Sequence, residues 1–255
     1  MSAAAIQPYE PDRSVVGKAR RQLVRLYKRR PARGGGQAQP RLSITFDDAP
    51  VTATTVGAEI LQAHSAKATY YISSGLLGRD GHMGPYAQWS DVERLHTDGH
   101  EIGCHTFEHT DLGQSDAGTA LRAVEENRAA FEAHGLTLAA TFAYPYGDVS
   151  PGPKAVLAPR YSLLRALHYG LIEPGTDLNQ APSVGMEGPN GESTALAWLR
   201  RAARRKSWLI LNAHDIQDQP SPWGCTPDAL RRVVREAVAL GFEIVTVAEG
   251  ARLVC

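Results

Sequence analysis

Residues 42–50 read Leu-Ser-Ile-Thr-Phe-Asp-Asp-Ala-Pro, and this segment is the most informative one for the fold class. The apolar and β-branched residues of 42–47 predict a buried strand, and two adjacent carboxylates, Asp47 and Asp48, stand where it ends. Similar strand-like runs recur along the chain, at 68–73, 101–105, 140–144, 161–166, 208–213 and 242–247. Helical patterns lie between them, near 53–65, 90–98, 116–134, 193–205 and 226–240.

This alternation determines the fold class. Nearly continuous apolar strands that alternate with helices predict a parallel sheet covered by helices. Seven strands without an obvious edge favour closure, so we expect an irregular (β/α)7 barrel over residues 41–255, a length that suits a single α/β barrel. No Gly-x-Gly-x-x-Gly follows the first strand and no phosphate loop is present, so a nucleotide-binding fold is not expected.

The composition argues against several classes of function. The 27 Lys and Arg residues balance 27 Asp and Glu residues, which gives no global reason to expect a nucleic-acid partner. The three cysteines lack C-x-x-C spacing, so we expect reduced thiols. No signal-peptide h-region and no apolar run of about 18 residues is present. These features predict a cytoplasmic protein.

Residues 1–40 differ from the rest of the chain. Between Arg13 and Arg33 there are nine Lys or Arg residues and no Asp or Glu, and a Gly-rich linker follows. Apolar residues at helical spacing predict an amphipathic helix within residues 14–30: Val16, Ala19, Leu23, Leu26 and Tyr27. Such a helix fits peripheral contact with an anionic inner membrane face, or a cover over the barrel bottom, or attraction of an anionic glycan or lipid-linked precursor. The sequence leaves these three open.

Chemically active side chains gather at the predicted strand ends, where α/β barrels hold their active sites. The first strand ends in Asp47 and Asp48, the third in His105 and His109, and the sixth in His214. Two imidazoles and one carboxylate can hold a metal and leave a coordination position open, as in catalytic zinc sites. Adjacent carboxylates would repel in a dry site unless a cation holds one and the other serves as a base. The alternative for the Asp pair is a polar turn that caps the next helix.

These residues carry a family resemblance over most of residues 41–250. The chain resembles the NodB-type polysaccharide deacetylases, also called carbohydrate esterase family four. The matching motifs are Thr45-Phe46-Asp47-Asp48, His105-Thr106-x-x-His109, Tyr144-Pro145-Tyr146-Gly147 and Leu211-x-x-His214-Asp215. Several motifs in the family's order are far more specific than any one alone.

The resemblance implies a role for each matching position. Asp48, His105 and His109 would bind the metal, most simply Zn²⁺, although this ligand set also accepts Co²⁺ or Mn²⁺. Asp47 would be the general base and His214 the general acid. The backbone N–H of Tyr146 would stabilise the oxyanion. The substrate would contact the site residues Pro145, Tyr146 and Leu211, with Leu211 against the acetyl methyl group.

The chain also departs from the family pattern. Where many members have an arginine that orients the base, this chain has Ala143, and Arg165 on the fifth predicted strand could supply the missing guanidinium. A structural salt bridge is the alternative for Arg165. Asp177 could raise the pKa of His214, with a turn role as the alternative. The tryptophan often found nearby is not expected, and His82 and His168 are expected to be structural or surface residues.

The expected activity is hydrolysis of N-acetyl groups on N-acetylhexosamine residues of a bacterial polysaccharide or its precursor. Without a secretion signal, the substrate would be made inside the cell or at the inner membrane face, as in exopolysaccharide or holdfast pathways. Two alternatives remain: an O-acetyl esterase on the same metal site, and a non-catalytic glycan-binding homologue. The missing arginine at Ala143 is the only sequence feature that favours the latter.

Overall fold

The computed structural model describes residues 15–33 and 38–255, with side chains described from residue 21 onward. The predicted Gly-rich linker therefore lies largely outside the described residues. These described residues contain ten strands: β1 (Arg41–Asp47), β2 (Thr69–Ile72), β3 (Asp80–Gly81), β4 (Gly84–Pro85), β5 (Glu101–Cys104), β6 (Thr141–Ala143), β7 (Leu163–Arg165), β8 (Val184–Gly185), β9 (Trp208–Ala213) and β10 (Glu243–Ile244).

Over residues 15–33 and 38–255, eight α-helices accompany these strands: α1 (Val15–Leu26), α2 (Ala58–Gln62), α3 (Trp89–Thr97), α4 (Ala117–Ala133), α5 (Pro151–Leu157), α6 (Gly191–Arg205), α7 (Pro227–Ala239) and α8 (Val247–Arg252). All the predicted helical segments contain a helix, and a π-helical turn at Ala53–Gly57 precedes α2. The short helices α5 and α8 were not predicted, because six or seven residues are too few to establish a helical period. Every helix in the described part of the chain is too short or too polar to span a bilayer.

The main sheet is parallel and curls into the irregular (β/α)7 type of barrel that the alternation predicts. Its strand order is β7-β6-β5-β2-β1-β9-β8, and β10 pairs with the start of β1. One segment, 181–185, approaches both ends of this order: Ala181 bridges to Arg165 on β7, and β8 pairs with β9. Strand β8 was not predicted, because its two residues are too few to show strand alternation.

Alternation along β1 separates the two faces of the sheet. Leu42, Ile44 and Phe46 pack in the cluster between the sheet and the surrounding helices. The intervening residues, Thr45 and Asp47 among them, face the barrel interior, since successive side chains of a strand point to opposite faces. Asp47 therefore lies on the interior face at the C-terminal end of the sheet, where the ends of the strands meet.

Helix α1 packs against the barrel near this C-terminal end. Val24 is buried against the cluster that contains residues of β5, β6 and α4. The buried Lys154 ammonium donates to the Val24 carbonyl (3.0 Å), a favourable charge at a helix C-terminus. After the helix, the backbone N–H of Arg30 donates to Asp177 (2.8 Å) and the N–H of Ala32 to the Thr176 carbonyl (2.7 Å). The amphipathic helix is confirmed, and the chain after it is fixed along the loop between β7 and β8.

Candidate active site

Three residues from two strand ends form a candidate metal site. Asp48 follows β1, and His105 and His109 lie in the loop after β5. The Asp48 Oδ1 atom lies 3.6 Å from His105 Nε2 and 3.5 Å from His109 Nε2. One ligand atom from each residue lies within 4.8 Å of the other two. The structure thus brings together the three residues that the sequence predicts as ligands.

The donor set fits a divalent ion such as zinc. Two ligand atoms on a tetrahedral zinc with bonds of ~2.0–2.1 Å lie ~3.4 Å apart, close to both distances in this site. Asp48 Oδ1 is buried and has no hydrogen-bond partner among the described residues. Burial lowers the pKa of His105 to about 4 and that of His109 to about 3, so both imidazoles are neutral at neutral pH. Neutral imidazoles and an otherwise unpaired carboxylate oxygen are what a metal requires of its ligands.

The backbone aims these side chains at one point. Asp48 (φ 64°), Thr106 (φ 65°) and His109 (φ 54°) all adopt the left-handed conformation, which non-glycine residues rarely take. Strain of this kind persists only where the surrounding structure imposes it, and it concentrates at functional sites. The His105 Nδ1–H donates to the Ala143 carbonyl (2.7 Å), which leaves the Nε2 lone pair directed at Asp48.

The second carboxylate, Asp47, is paired with a buried guanidinium. Arg165 is fully buried and donates from Nη2 to Asp47 Oδ2 at 2.5 Å. Burial alone would raise the pKa of Asp47, but Arg165 and the nearby His105 hold it below its ordinary value. The structure therefore places the Arg165 guanidinium beside Asp47. This guanidinium comes from β7, whereas Ala143 lies on β6.

His214 lies on the other side of the site, and the carboxylate near it is Glu187 rather than the predicted Asp177. Its Nδ1–H donates to the Trp223 carbonyl (3.2 Å), and Nδ1 lies 4.0 Å from the Glu187 carboxylate. Burial lowers the pKa of His214, but Asp47 and Glu187 more than offset this, so the net shift is upward. Burial raises the pKa of Glu187 itself to about 7. A tryptophan was not expected beside the predicted acid, so Trp223 corrects that expectation.

Asp177 is placed elsewhere, which corrects its predicted pairing with His214. Its carboxylate accepts from the buried Lys154 ammonium (2.8 Å), from the Arg30 N–H (2.8 Å) and from the Asn179 N–H (3.0 Å). These bonds anchor the segment after α1 and begin a 3₁₀ turn at Leu178–Gln180. The turn role that the sequence left open is the one that the structure supports.

Leu211 and Pro145 do not line the pocket as predicted. Leu211 packs in the cluster between sheet and helices, because it shares a face with Leu209 and Ala213. The residue of β9 that turns inward is Asn212, whose side chain donates to Glu187 (2.6 Å). Pro145 is buried and begins the 3₁₀ turn Pro145–Gly147.

That turn carries Tyr146, which does line the pocket, with a left-handed backbone (φ 58°) and its ring edge-on to His109 at 4.4 Å. The next residue, Gly147, also has a positive φ (69°), and a Cβ there would lie 2.5 Å from the Leu167 side chain. Only glycine fits at this position. The assignment of the Tyr146 N–H to the oxyanion stays a prediction.

These residues surround one cavity of about 370 Å³ at the C-terminal end of the sheet. Beyond the predicted ligands, base and acid, its walls include residues that the sequence did not indicate: Arg21, Arg25, Leu76, His82, Met83, Tyr86, Leu167, His168 and Trp223. His82 belongs to the β3–β4 hairpin and stacks edge-on against Trp223 at 4.9 Å. The hairpin strands are two residues each, so the sequence carried no signal that would bring His82 to the site.

Comparison with known proteins was consistent with this geometry. Residues 34–158 match the family model described as polysaccharide deacetylase. The chain is 30% identical over 101 residues to a chitin deacetylase of Colletotrichum lindemuthianum, covering 34% of this chain and 36% of that protein. It is 41% identical over 83 residues to a chitooligosaccharide deacetylase of Azorhizobium caulinodans, covering 32% of this chain and 35% of that one. These alignments therefore span about a third of the curated relatives' length.

Solved structures extend the likeness in fold to most of the chain. The structure of the chitin deacetylase from Colletotrichum lindemuthianum superposes with a TM-score of 0.61 at 18% identity, covering 83% of this chain and 87% of that chain. At this identity the superposition bears on the fold alone. It confirms the predicted barrel type.

Proposed function

Because the chain belongs to the polysaccharide deacetylase family, we propose that it is a metal-dependent hydrolase of N-acetyl groups on a bacterial glycan. The substrate would be the N-acetylhexosamine residues of a polysaccharide, such as an exopolysaccharide, or of its precursor. One observation carries the proposal: the triad of Asp48, His105 and His109 shares a single cavity with Asp47 and His214. A metal site, a base and an acid are what hydrolysis of an unreactive amide requires.

In this mechanism the two proton-transfer groups act on opposite sides of the reacting carbon. Asp47 stays ionised because Arg165 holds its pKa low, and its second oxygen, Oδ1, is buried without a hydrogen-bond partner among the described residues. That oxygen takes a proton from the water that attacks the acetyl carbon. His214, whose pKa is raised by Asp47 and Glu187, keeps its proton to a higher pH than an ordinary histidine and donates it to the sugar nitrogen as the C–N bond breaks. The products are acetate and a free amine.

The metal proposed for this site is zinc, with cobalt or manganese as alternatives for the same ligands. Asp48, His105 and His109 would hold it. When bound, a divalent ion supplies an electrophile that polarises the acetyl carbonyl.

Acetate release from matched substrates tests the proposed reaction. With zinc present, we expect acetate release from N-acetylglucosamine oligomers, with free amines appearing in equal amount. The same assay is run on an O-acetylated glycan, whose alcohol leaves without the protonation that His214 would give to an amine. Acetate and amine are measured separately on the same samples.

The control is Asp228→Asn, since Asp228 is an exposed carboxylate on α7, and it should leave both rates unchanged. Faster release from the O-acetylated glycan would favour the esterase alternative. Glycan binding with no acetate from either substrate would favour a non-catalytic glycan-binding protein.

We also propose a cytoplasmic location with peripheral contact at the inner membrane face through residues 14–30. The outward side of α1 and the residue after it expose Leu23 (67%), Leu26 (70%) and Tyr27 (42%) next to basic residues. Exposed apolar side chains beside cationic ones suit insertion into an anionic lipid interface. Deleting the helix would confound a test, because Val24 is part of the core.

Point substitutions avoid that difficulty. Leu23→Ser with Leu26→Ser should lower sedimentation with anionic vesicles at least ~10-fold, since each buried leucine side chain contributes about 1.5–3 kcal/mol to transfer. Val238→Ser, at an exposed apolar residue of α7, is the matched control and should have no effect. Unchanged vesicle binding in the double variant would contradict the membrane contact.

A further inference from the structure

Helix α1 forms part of the wall of the candidate active site. Arg21 and Arg25, one helical turn apart, both line the cavity that holds Asp48 and His214. Both side chains are partly buried, whereas Leu23 and Leu26 on the same helix face outward. The amphipathic helix therefore turns cationic side chains, rather than its apolar ones, toward the site.

The position of these arginines is built into the fold. Val24, between them in sequence, is buried, and the Lys154 ammonium holds its carbonyl. Lys154 in turn pairs with Asp177, which also accepts the N–H of Arg30. A helix held at this many points keeps both guanidinium groups at the cavity wall.

The two arginines contrast with the basic residues that follow them. Arg29 donates to the Gly175 carbonyl, and Arg30 to the carbonyls of Ala158, Tyr161 and Ser162. Those contacts are structural. Arg25, by contrast, lines the cavity, and its buried Nε atom, like that of Arg30, has no hydrogen-bond partner within the described part of the chain.

The charges around the cavity leave a net positive region beside α1. Asp47 is neutralised by Arg165, and Asp48 is assigned to the metal. Burial and the neighbouring Arg21 lower the pKa of Arg25, and Asp148, which lines the same wall, is the carboxylate that opposes this. Among the described residues of this wall, two guanidinium groups lie beside one carboxylate, Asp148, close to the candidate metal site, and this arrangement attracts a further anion.

We propose that Arg21 and Arg25 bind an anionic group carried by the glycan that is deacetylated, so that the protein selects acidic N-acetylated glycans over neutral ones. The shared chemistry is an oxyanion, either a uronate carboxylate or a phosphate ester, which the guanidinium fork can bind with two parallel hydrogen bonds. This inference rests on the proposed function, because it places the anion on the substrate of the same cavity.

Equilibrium binding to the zinc-loaded full chain tests the inference independently of turnover. Three probes are titrated calorimetrically: a neutral N-acetylglucosamine oligomer, an oligomer of alternating N-acetylglucosamine and glucuronate, and N-acetylglucosamine 1-phosphate. We expect at least one acidic probe to bind ~10-fold more tightly than the neutral oligomer, and the two acidic probes distinguish carboxylate from phosphate. The double variant Arg21→Gln/Arg25→Gln should lose at least ~10-fold of this preference, since it removes the charge-assisted hydrogen bonds to the anion.

Two further variants make the result specific. Lys28→Gln removes an exposed charge just beyond α1 and should keep the preference for the acidic probe. Arg25→Lys keeps the charge and should retain part of the preference for the acidic probe. The thermal midpoint and zinc content of each variant report whether the fold and the metal site are intact.

Equal affinity of the wild type for neutral and acidic probes would overturn the inference, as would an equal loss of preference in Lys28→Gln. If Arg21→Gln/Arg25→Gln weakens binding to anionic vesicles but binding to neither acidic sugar, the inference is replaced: the two arginines then have a membrane role. If the acidic preference holds while no substrate releases acetate, the proposed function fails and the ligand class stands.

Discussion

Arg165→Met is expected to lower the free energy of unfolding by about 3–5 kcal/mol at neutral pH, because it leaves a buried carboxylate without its partner. Arg165 and Asp47 are almost fully buried and in direct contact at 2.5 Å. Turnover should fall at least ~100-fold, since the base loses the group that orients it and keeps it ionised. Urea unfolding and acetate release measure the two effects on the same preparations.

The pH dependence of the stability loss identifies its cause. The pKa of Asp47 is lower in the folded protein than its ordinary value, so its pairing stabilises the fold above pH ~4 and is lost as the pH falls through the lowered pKa. The difference between wild type and Arg165→Met, measured without metal, should therefore shrink in acid. Adding Asp47→Asn to Arg165→Met should restore part of the stability, because no buried charge then remains. Arg231→Met, at an exposed ion pair on α7, is the control.

If Arg165→Met has the same free energy of unfolding as the wild type at neutral pH, Arg165 and Asp47 are not coupled. The same holds if the loss of unfolding free energy in the double variant equals the sum of the losses in the two single variants. Arg165→Lys should lie between the two, since it keeps a charge and loses the fork.

The clustering of the proposed ligands and base could be predicted because these residues are local features of strand ends. The pair Asp47 and Asp48 follows a strand whose alternation was visible, and the spacing of His105 and His109 was sufficient to suggest one ion. Arg165 could be proposed because its position at the end of a predicted strand placed it at the same edge of the sheet. Each of these predictions needed only the parallel arrangement of the strands.

The predictions that were wrong depended on register or on loops. Leu211 was expected inside, but side chains alternate along β9, so Asn212, two residues before His214, is the one that turns inward. Asp177 was expected to be the partner of His214, whereas the carboxylate that lies near His214 is Glu187, and the difference lies in how the segment between β7 and β9 folds back. No local pattern distinguishes two carboxylates in irregular loops.

The placement of α1 could not be predicted from its periodicity. The pattern separates an apolar side from a basic side, and burial of the apolar side is the usual outcome. Among the described side chains of the helix, residues 21–26, only Val24 is buried, and tertiary contacts of Lys154 and Asp177 determine which side faces the cavity. Those contacts join residues more than 20 positions apart, which no helical pattern records.

Asp48→Asn is expected to weaken zinc binding by more than ~100-fold and to abolish acetate release, because even residues that only support metal ligands contribute 10–100-fold to affinity. Asparagine is preferred to alanine for this test, since Asp48 has a positive φ (64°) that asparagine adopts more readily than alanine. Zinc content after dialysis against a chelator series gives the affinity, and acetate release gives the activity.

The neighbouring variant Asp47→Asn separates the ligand from the base. It should keep zinc within ~10-fold of the wild-type affinity, because the Asp47 carboxylate pairs with Arg165 rather than joining the triad of Asp48, His105 and His109. Its turnover should nevertheless fall by about 10²–10⁴, the contribution of a general base. Full zinc binding in Asp48→Asn, or loss of zinc in Asp47→Asn, would reverse the two assignments, and equal effects of both variants on zinc would mean that the two carboxylates share the ion.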